Sequence, residues 1–310
     1  MRPDKTECAL SLIVGQESTD SPIEINVGRG IREVTFSANG KYLLSGGDKG
    51  VQVWGMEDGK QMATMEAKKV LCLAVSKDGR WIAAGTSDGA VYVWDAETRG
   101  QAWSHKENNT VSAVDFSPDS TRLVTGDDQK ATIWDMATRK RVQTLKHEHW
   151  VNAAKYSAQG DRLATGTDQF VRIWDNNGRL LVTINVGVTP YFNTGLLWSN
   201  NHLFALSDGQ IKQFEASSTE SAVSEWPVPD TNYFSCIALP KHKEFIANST
   251  DRTVICWDTT TRTQCGLIEH TQGIHSIAIS PDDQFLAIGG GGGHIIIRKL
   301  SHITVSFVYR

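Results

Sequence analysis

An aspartate stands six residues before an aromatic side chain at Asp48/Trp54, Asp88/Trp94, Asp128/Trp134, Asp168/Trp174, Asp208/Phe214 and Asp251/Trp257. Successive aspartates are 40, 40, 40, 40 and 43 residues apart. A period of that size restricts the chain to architectures built from one supersecondary unit repeated and stacked. The unit is clearest from Lys146 to Asp175. Val151, Ala153 and Lys155 alternate against Leu163 and Thr165 across a polar turn at Ser157 to Asp161, and a β-branched run from Phe170 to Ile173 closes on Trp174-Asp175. Alternation broken by turn residues is the pattern of a β-meander.

Trp-Asp itself occurs at 94–95, 134–135, 174–175 and 257–258, with Trp54-Gly55, Phe214-Glu215 and Arg298-Lys299 as degenerate forms. A period of about 40 to 45 residues ending in Trp-Asp resembles the WD40 repeat family, and the resemblance covers nearly the whole chain. It implies an all-β fold, a seven-bladed β-propeller of four-stranded antiparallel blades. Aligning the units on the residue that ends each inner strand gives Ser37, Ser76, Ser117, Ser157, Ser199, Pro240 and Ser280. One propeller then occupies residues 1–310, with blade cores near 31–65, 70–103, 111–145, 151–184, 193–226, 234–268 and 274–300.

A propeller has to hide its sheet edges, and a strand from the other terminus closes the ring. Two segments suit that place, residues 22–26 and the alternating run at 303–309. Blade 5 is degenerate and has a long incoming loop from Val186 to Leu197, and the connection from Glu215 to Asp230 is also long. Insertions of this kind fall in surface loops. In blade 7, Gly289 to Gly293 replaces the turn that bears Asp elsewhere. Such a run holds no single conformation without partners, and it reads as a tolerated terminal defect or a mobile lip.

A net charge of -4 and a pI near 6.1 offer no basic field for a polyanion, which argues against direct nucleic-acid binding. The five cysteines are scattered without CxxC spacing and read as small hydrophobes in a reducing compartment. The N-terminal apolar run is too short to span a bilayer and matches a signal peptide poorly. The expectation is a cytoplasmic protein, with the nucleus as an alternative, without membrane attachment, either monomeric or part of a larger assembly.

Within the WD40 pattern, His147, Thr165, Asp168 and Trp174 match the family's buried hydrogen-bonded chain in full, in blade 4 alone. The set also has the composition of a nucleophile with an oriented base. The resemblance implies a structural role instead, satisfying buried polar groups. His147 and His149 lack further ligands at zinc-like spacing, so no metal is expected. No phosphate loop, carboxylate pair or nucleophile elbow is present, and the chain is read as non-enzymatic and without cofactor.

The family's partner-contact positions flank the first inner-strand apolar residue. They place Trp150, Phe192 and Tyr233 at equivalent points on blades 4 to 6, with Asn152, Arg32, Lys69 and His275 as polar neighbours. Aromatic anchors beside polar groups are the material of protein-binding hot spots. The leading reading is a scaffold that binds a peptide or protein segment on the narrow channel face. An acidic or phosphorylated residue of that segment would face Arg32 and Lys69. Alternatives are a sensor or regulatory propeller of a larger signalling or transcription-regulating assembly that binds through rim loops, and a small-molecule or sugar binder.

Overall fold

The computed structural model describes residues 21–28, 30–187, 195–207, 209–215, 224–228, 236–242 and 245–302. They form seven antiparallel sheets of four strands each, with a single short 3₁₀ turn at Leu300–His302 among the described residues. The expected seven-bladed, all-β propeller is the fold observed. The alternation seen in the sequence is what each sheet requires. In the blade 1 inner strand, Ile31–Phe36, the residues Ile31, Val34 and Phe36 are buried, whereas Arg32 is exposed.

The inner strands of successive blades pack on one another, and that of blade 7, Ile274–Ile279, packs on that of blade 1, so the stack is a closed ring. Each sheet-to-sheet interface is a separate apolar core. Leu44, Val53, Leu73, Ile82 and Trp94 pack between blades 1 and 2, and Ala164, Ile173, Leu196 and Phe214 between blades 4 and 5. A solenoid-like arrangement of this kind draws its stability from contacts between neighbours and from closure.

In the blade 7 sheet, the outer position is held by Ile23–Asn26, with Ile23 opposite Ile297 and Asn26 opposite His294. The run at 303–309 lies outside the described residues.

The glycines of blade 7 are neither a lip nor a defect. Gly291 N–H donates to the Gly273 carbonyl (2.9 Å), and Val27 N–H donates to that of Gly293 (2.7 Å). A Cβ on Gly290 would stand 2.6 Å from His270 Cε1, one on Gly292 would stand 2.5 Å from Gln272 Oε1, and one on Gly291 would press into the His275 ring. Three side chains occupy the space that side chains on the turn would need, and Gly293 adopts a left-handed backbone with φ 96°.

Incoming loops and the turns between second and third strands share one face, where the narrow mouth of the channel was expected. The turns after the inner and third strands share the other.

Candidate functional site

In four blades the third-strand tryptophan donates its indole N–H across the sheet to a polar side chain nine residues earlier. The pairs are Trp54 to Ser45 (2.9 Å), Trp134 to Thr125 (3.0 Å), Trp174 to Thr165 (2.8 Å) and Trp257 to Asn248 (2.6 Å). The antiparallel register fixes the spacing, because Leu163 pairs with Trp174 and Thr165 with Arg172. In blade 4 the chain continues. Thr165 Oγ1 lies 2.8 Å from His147 Nε2, and His147 Nδ1 lies 3.1 Å from the Leu145 carbonyl.

A carbonyl only accepts, so Nδ1 carries the proton and Nε2 accepts from Thr165. Burial holds the His147 pKa down at about 4, which keeps the ring neutral and this polarity intact. Asp168 stands beside a different imidazole, its Oδ1 3.4 Å from His149 Nδ1. Hydrogen bonds join Trp174, Thr165 and His147 in one chain. Thr165 is wholly buried, with its hydroxyl engaged on both sides.

Blade 3 carries an acidic side chain at the corresponding place. Glu107 occupies the place of His147 and is met by Lys130 Nζ at 2.8 Å, which also lies 3.3 Å from Asp127. Sequence reasoning missed this substitution, as it missed Asn248 standing in for the hydroxyl.

The expected partner-binding residues that are described all lie on the face of the incoming loops. Trp150 is 44% exposed. All ten tryptophans lie among the described residues, and it is the single exposed one. Arg32 and Lys69 are exposed, and Lys69 adopts a left-handed backbone with φ 52°. His275 donates from Nδ1 to the Ile31 carbonyl (2.9 Å), and burial lowers its pKa, with the Arg32 charge adding to the effect. Asn152 is buried, and its Oδ1 has no hydrogen-bond partner. It is an unsatisfied acceptor at the mouth rather than a surface contact. Phe192 and Tyr233 lie outside the described residues.

Below the mouth, the channel wall carries charges that periodicity did not mark. Glu33 Oε2 accepts the Leu73 N–H (2.7 Å), Asp115 Oδ2 accepts that of Tyr156 (2.9 Å), and Ser276 Oγ accepts that of Val34 (3.1 Å). Each bond ties one inner strand to the next across the 1–2, 3–4 and 7–1 interfaces. Lys155 Nζ lies 3.2 Å from Asp115. Burial pushes the Glu33 pKa up to about 7 despite the opposing Lys155 charge, and burial also raises that of Asp115. No group of three or more His, Cys, Asp or Glu side chains suited to a metal ion occurs among the described residues.

Seven four-stranded blades, four of them with a third-strand tryptophan anchored nine residues back, define a WD40 β-propeller. The family model described as the IFT122 first beta-propeller matches residues 30–299, and the chain belongs to that family. Among curated proteins, it is 39% identical over 67 residues to WD repeat and SOCS box-containing protein 1 of Homo sapiens, covering 21% of this chain and 16% of that one. It is 26% identical over 97 residues to the intraflagellar transport protein 122 homolog of Xenopus tropicalis, covering 31% and 8%. The matches therefore span under a fifth of these relatives' length. Among solved structures, U3-55K superposes with a TM-score of 0.79 at 16% identity, covering 89% of this chain and 98% of that one. The RRP9 WD40 repeats give 0.77 at 17% identity, covering 89% and 97%.

Proposed function

We propose that this propeller is a non-enzymatic interaction scaffold of the cytoplasm or nucleus that holds a peptide or protein segment across the channel mouth on the incoming-loop face. The observation that carries this reading is Trp150, a large aromatic left exposed while the other tryptophans are buried or half-buried. An exposed indole loses water on binding and gives more contact area per ordered torsion than any aliphatic side chain, which is why Trp recurs in hot spots. Arg32 and Lys69 supply exposed cations on blades 1 and 2. Phe192 and Tyr233 are the residues of blades 5 and 6 that correspond to Trp150 by alignment of the repeats.

The rim offers less. Met62, Val142, Leu180, Leu181 and Leu267 are exposed on outer strands, but they are spread over four blades, and singly scattered apolar side chains are ordinary surface. The test is affinity capture from cell extract with the wild type and the Trp150→Ala/Tyr233→Ala pair, read by mass spectrometry. Partners lost selectively from the double variant support the mouth. Identical partner sets from two equally folded proteins refute it.

A further inference from the structure

Asn-Gly occurs twice in the chain, at Asn39-Gly40 and Asn177-Gly178. Glycine after asparagine matters chemically, because without a Cβ its backbone nitrogen can approach the asparagine side chain unhindered. Both pairs sit in turns on the face away from the incoming loops, and both asparagines are exposed. Their backbones match closely. Gly40 and Gly178 adopt φ 70° and 69°, and each donates its N–H at 2.9 Å to the carbonyl three residues back, that of Ser37 and that of Asp175. The side chains differ. Asn39 Oδ1 accepts the Ser37 hydroxyl (2.7 Å) and the Lys41 N–H (3.0 Å), which is the place an aspartate fills in blades 2, 3 and 7. In the blade 4 turn that part is taken by Asp175, whose Oδ1 accepts the N–H groups of Asn177 and Arg179 at 2.9 Å each. The side-chain amide of Asn177 makes no hydrogen bond among the described residues.

We propose that Asn177 is a site of spontaneous deamidation, at which the turn between the third and outer strands of blade 4 converts itself to aspartate and isoaspartate. The Gly178 nitrogen bonds to Asn177 Cγ and gives up its proton, while the Cγ–Nδ2 bond breaks and ammonia leaves. Water then opens the cyclic imide at either carbonyl. Opening at Cγ gives aspartate. Opening at the other gives isoaspartate, in which the main chain runs through the side chain and is longer by a methylene.

The consequence falls on the interface between blades 3 and 4. Gln143 Nε2 donates to the Asn177 carbonyl (2.8 Å), and Arg122 Nη1 donates to that of Asn176 (3.1 Å). A Cβ on Gly178 would collide with the Gln143 amide, so Gln143 lies directly against the turn. In isoaspartate the carbonyl that Gln143 holds becomes a free carboxylate outside the main chain, and the added methylene shifts Gly178 from its place. Deamidation thus unfastens a clasp by which blade 3 holds blade 4.

The test is incubation of the folded full chain at mildly alkaline pH, with both Asn-Gly peptides followed by mass spectrometry and isoaspartate counted by enzymatic methyl-ester labelling. Two hydrogen bonds must break before the Asn39 amide can turn toward Gly40, and none at Asn177. Asn177 is therefore expected to deamidate about tenfold faster, a difference of about 1.4 kcal/mol at the barrier. In urea, where both turns are lost, the two rates should converge. The melting temperature of wild type should fall in step with its isoaspartate content, whereas Asn177→Gln, a surface change incubated alongside, keeps its own. The proposal is overturned if Asn39 reacts as fast as Asn177 in the folded chain, or if the gap persists unchanged in urea. Equal loss of melting temperature by aged wild type and aged Asn177→Gln overturns the clasp.

Discussion

Thr165→Val isolates the polar chain of blade 4. Valine has nearly the shape of threonine, and Thr165 is fully buried, so packing is conserved and only the hydroxyl is lost. That loss strands two groups at once. The Trp174 indole N–H loses its acceptor at 2.8 Å and His147 Nε2 loses its donor at 2.8 Å, in residues 7% and 6% exposed. Each stranded buried group costs about 1 to 3 kcal/mol, and releasing the buried hydroxyl itself returns about 1, so the expected loss is about 1 to 5 kcal/mol.

The neighbouring blade 3 supplies the control. Thr132 is 1% exposed, and its Oγ1 has no hydrogen-bond partner. Thr132→Val therefore removes an unsatisfied hydroxyl and is expected to be neutral or stabilising by up to about 1 kcal/mol. Urea denaturation followed by circular dichroism near neutral pH reads both as shifts of the midpoint at constant slope. In a Trp174→Phe background, the cost of Thr165→Val should shrink, since one of the stranded groups is already gone. Equal losses for Thr165→Val and Thr132→Val would refute the account of how the hydroxyl acts.

Two buried groups pull stability in opposite directions with pH. His147 is held down to about 4 against an ordinary 6.5, so its contribution is present above 6.5 and is lost as pH falls toward 4. Glu33 is raised to about 7 from 4.5, so folding gains as pH falls from 7 to 4.5. Each shift corresponds to about 3 kcal/mol at most, and wild-type stability should be nearly flat across that window. Glu33→Gln keeps the acceptor for Leu73 N–H and removes the titration; it is expected to be more stable than wild type above pH 7 and to show a steep acid loss, read from denaturation midpoints across pH. Deleting residues 1–27 removes the outer strand paired with His294 to Ile297 and should lower the melting temperature by more than 10 °C, seen by calorimetry. Gly291→Ala drives a methyl into the His275 ring and should cost about 1 to 3 kcal/mol, whereas Gly100→Ala meets only the Thr98 hydroxyl at 3.4 Å and should be near neutral.

The architecture was legible because it rests on local signals. Alternation and turn residues mark each strand, and the Asp-to-Trp offset keeps the register from blade to blade. Trp54, Trp134 and Trp174 find their acceptors nine residues back because antiparallel pairing fixes that distance. The site was legible only where the repeat itself marks a position. Trp150, Arg32 and Lys69 follow from alignment to the inner strand, but the burial of Asn152 depends on how the mouth packs.

The bonds of Glu33, Asp115 and Ser276 join residues some 40 to 242 positions apart, and no pattern within one unit announces them. Ala96 looks unremarkable in sequence, since an alanine after Trp-Asp breaks no rule. Only the fold shows that it takes the place that Met56 and Met136 fill in blades 1 and 3. The glycines of blade 7 read as disorder for the same reason, because His270, Gln272 and His275, which require them, approach from another strand and loop.

The central claim is that partners are held at the channel mouth. The most direct measurement places a photo-crosslinking amino acid at position 150 on the mouth, or at position 181 on the exposed outer strand of blade 4, and compares the adducts formed in cell extract by equally folded proteins. Adducts from position 150, competed away by unlabelled wild-type protein and absent at 181, are the predicted result. Competable adducts from 181 with none from 150 would contradict the account and move the binding surface to the rim.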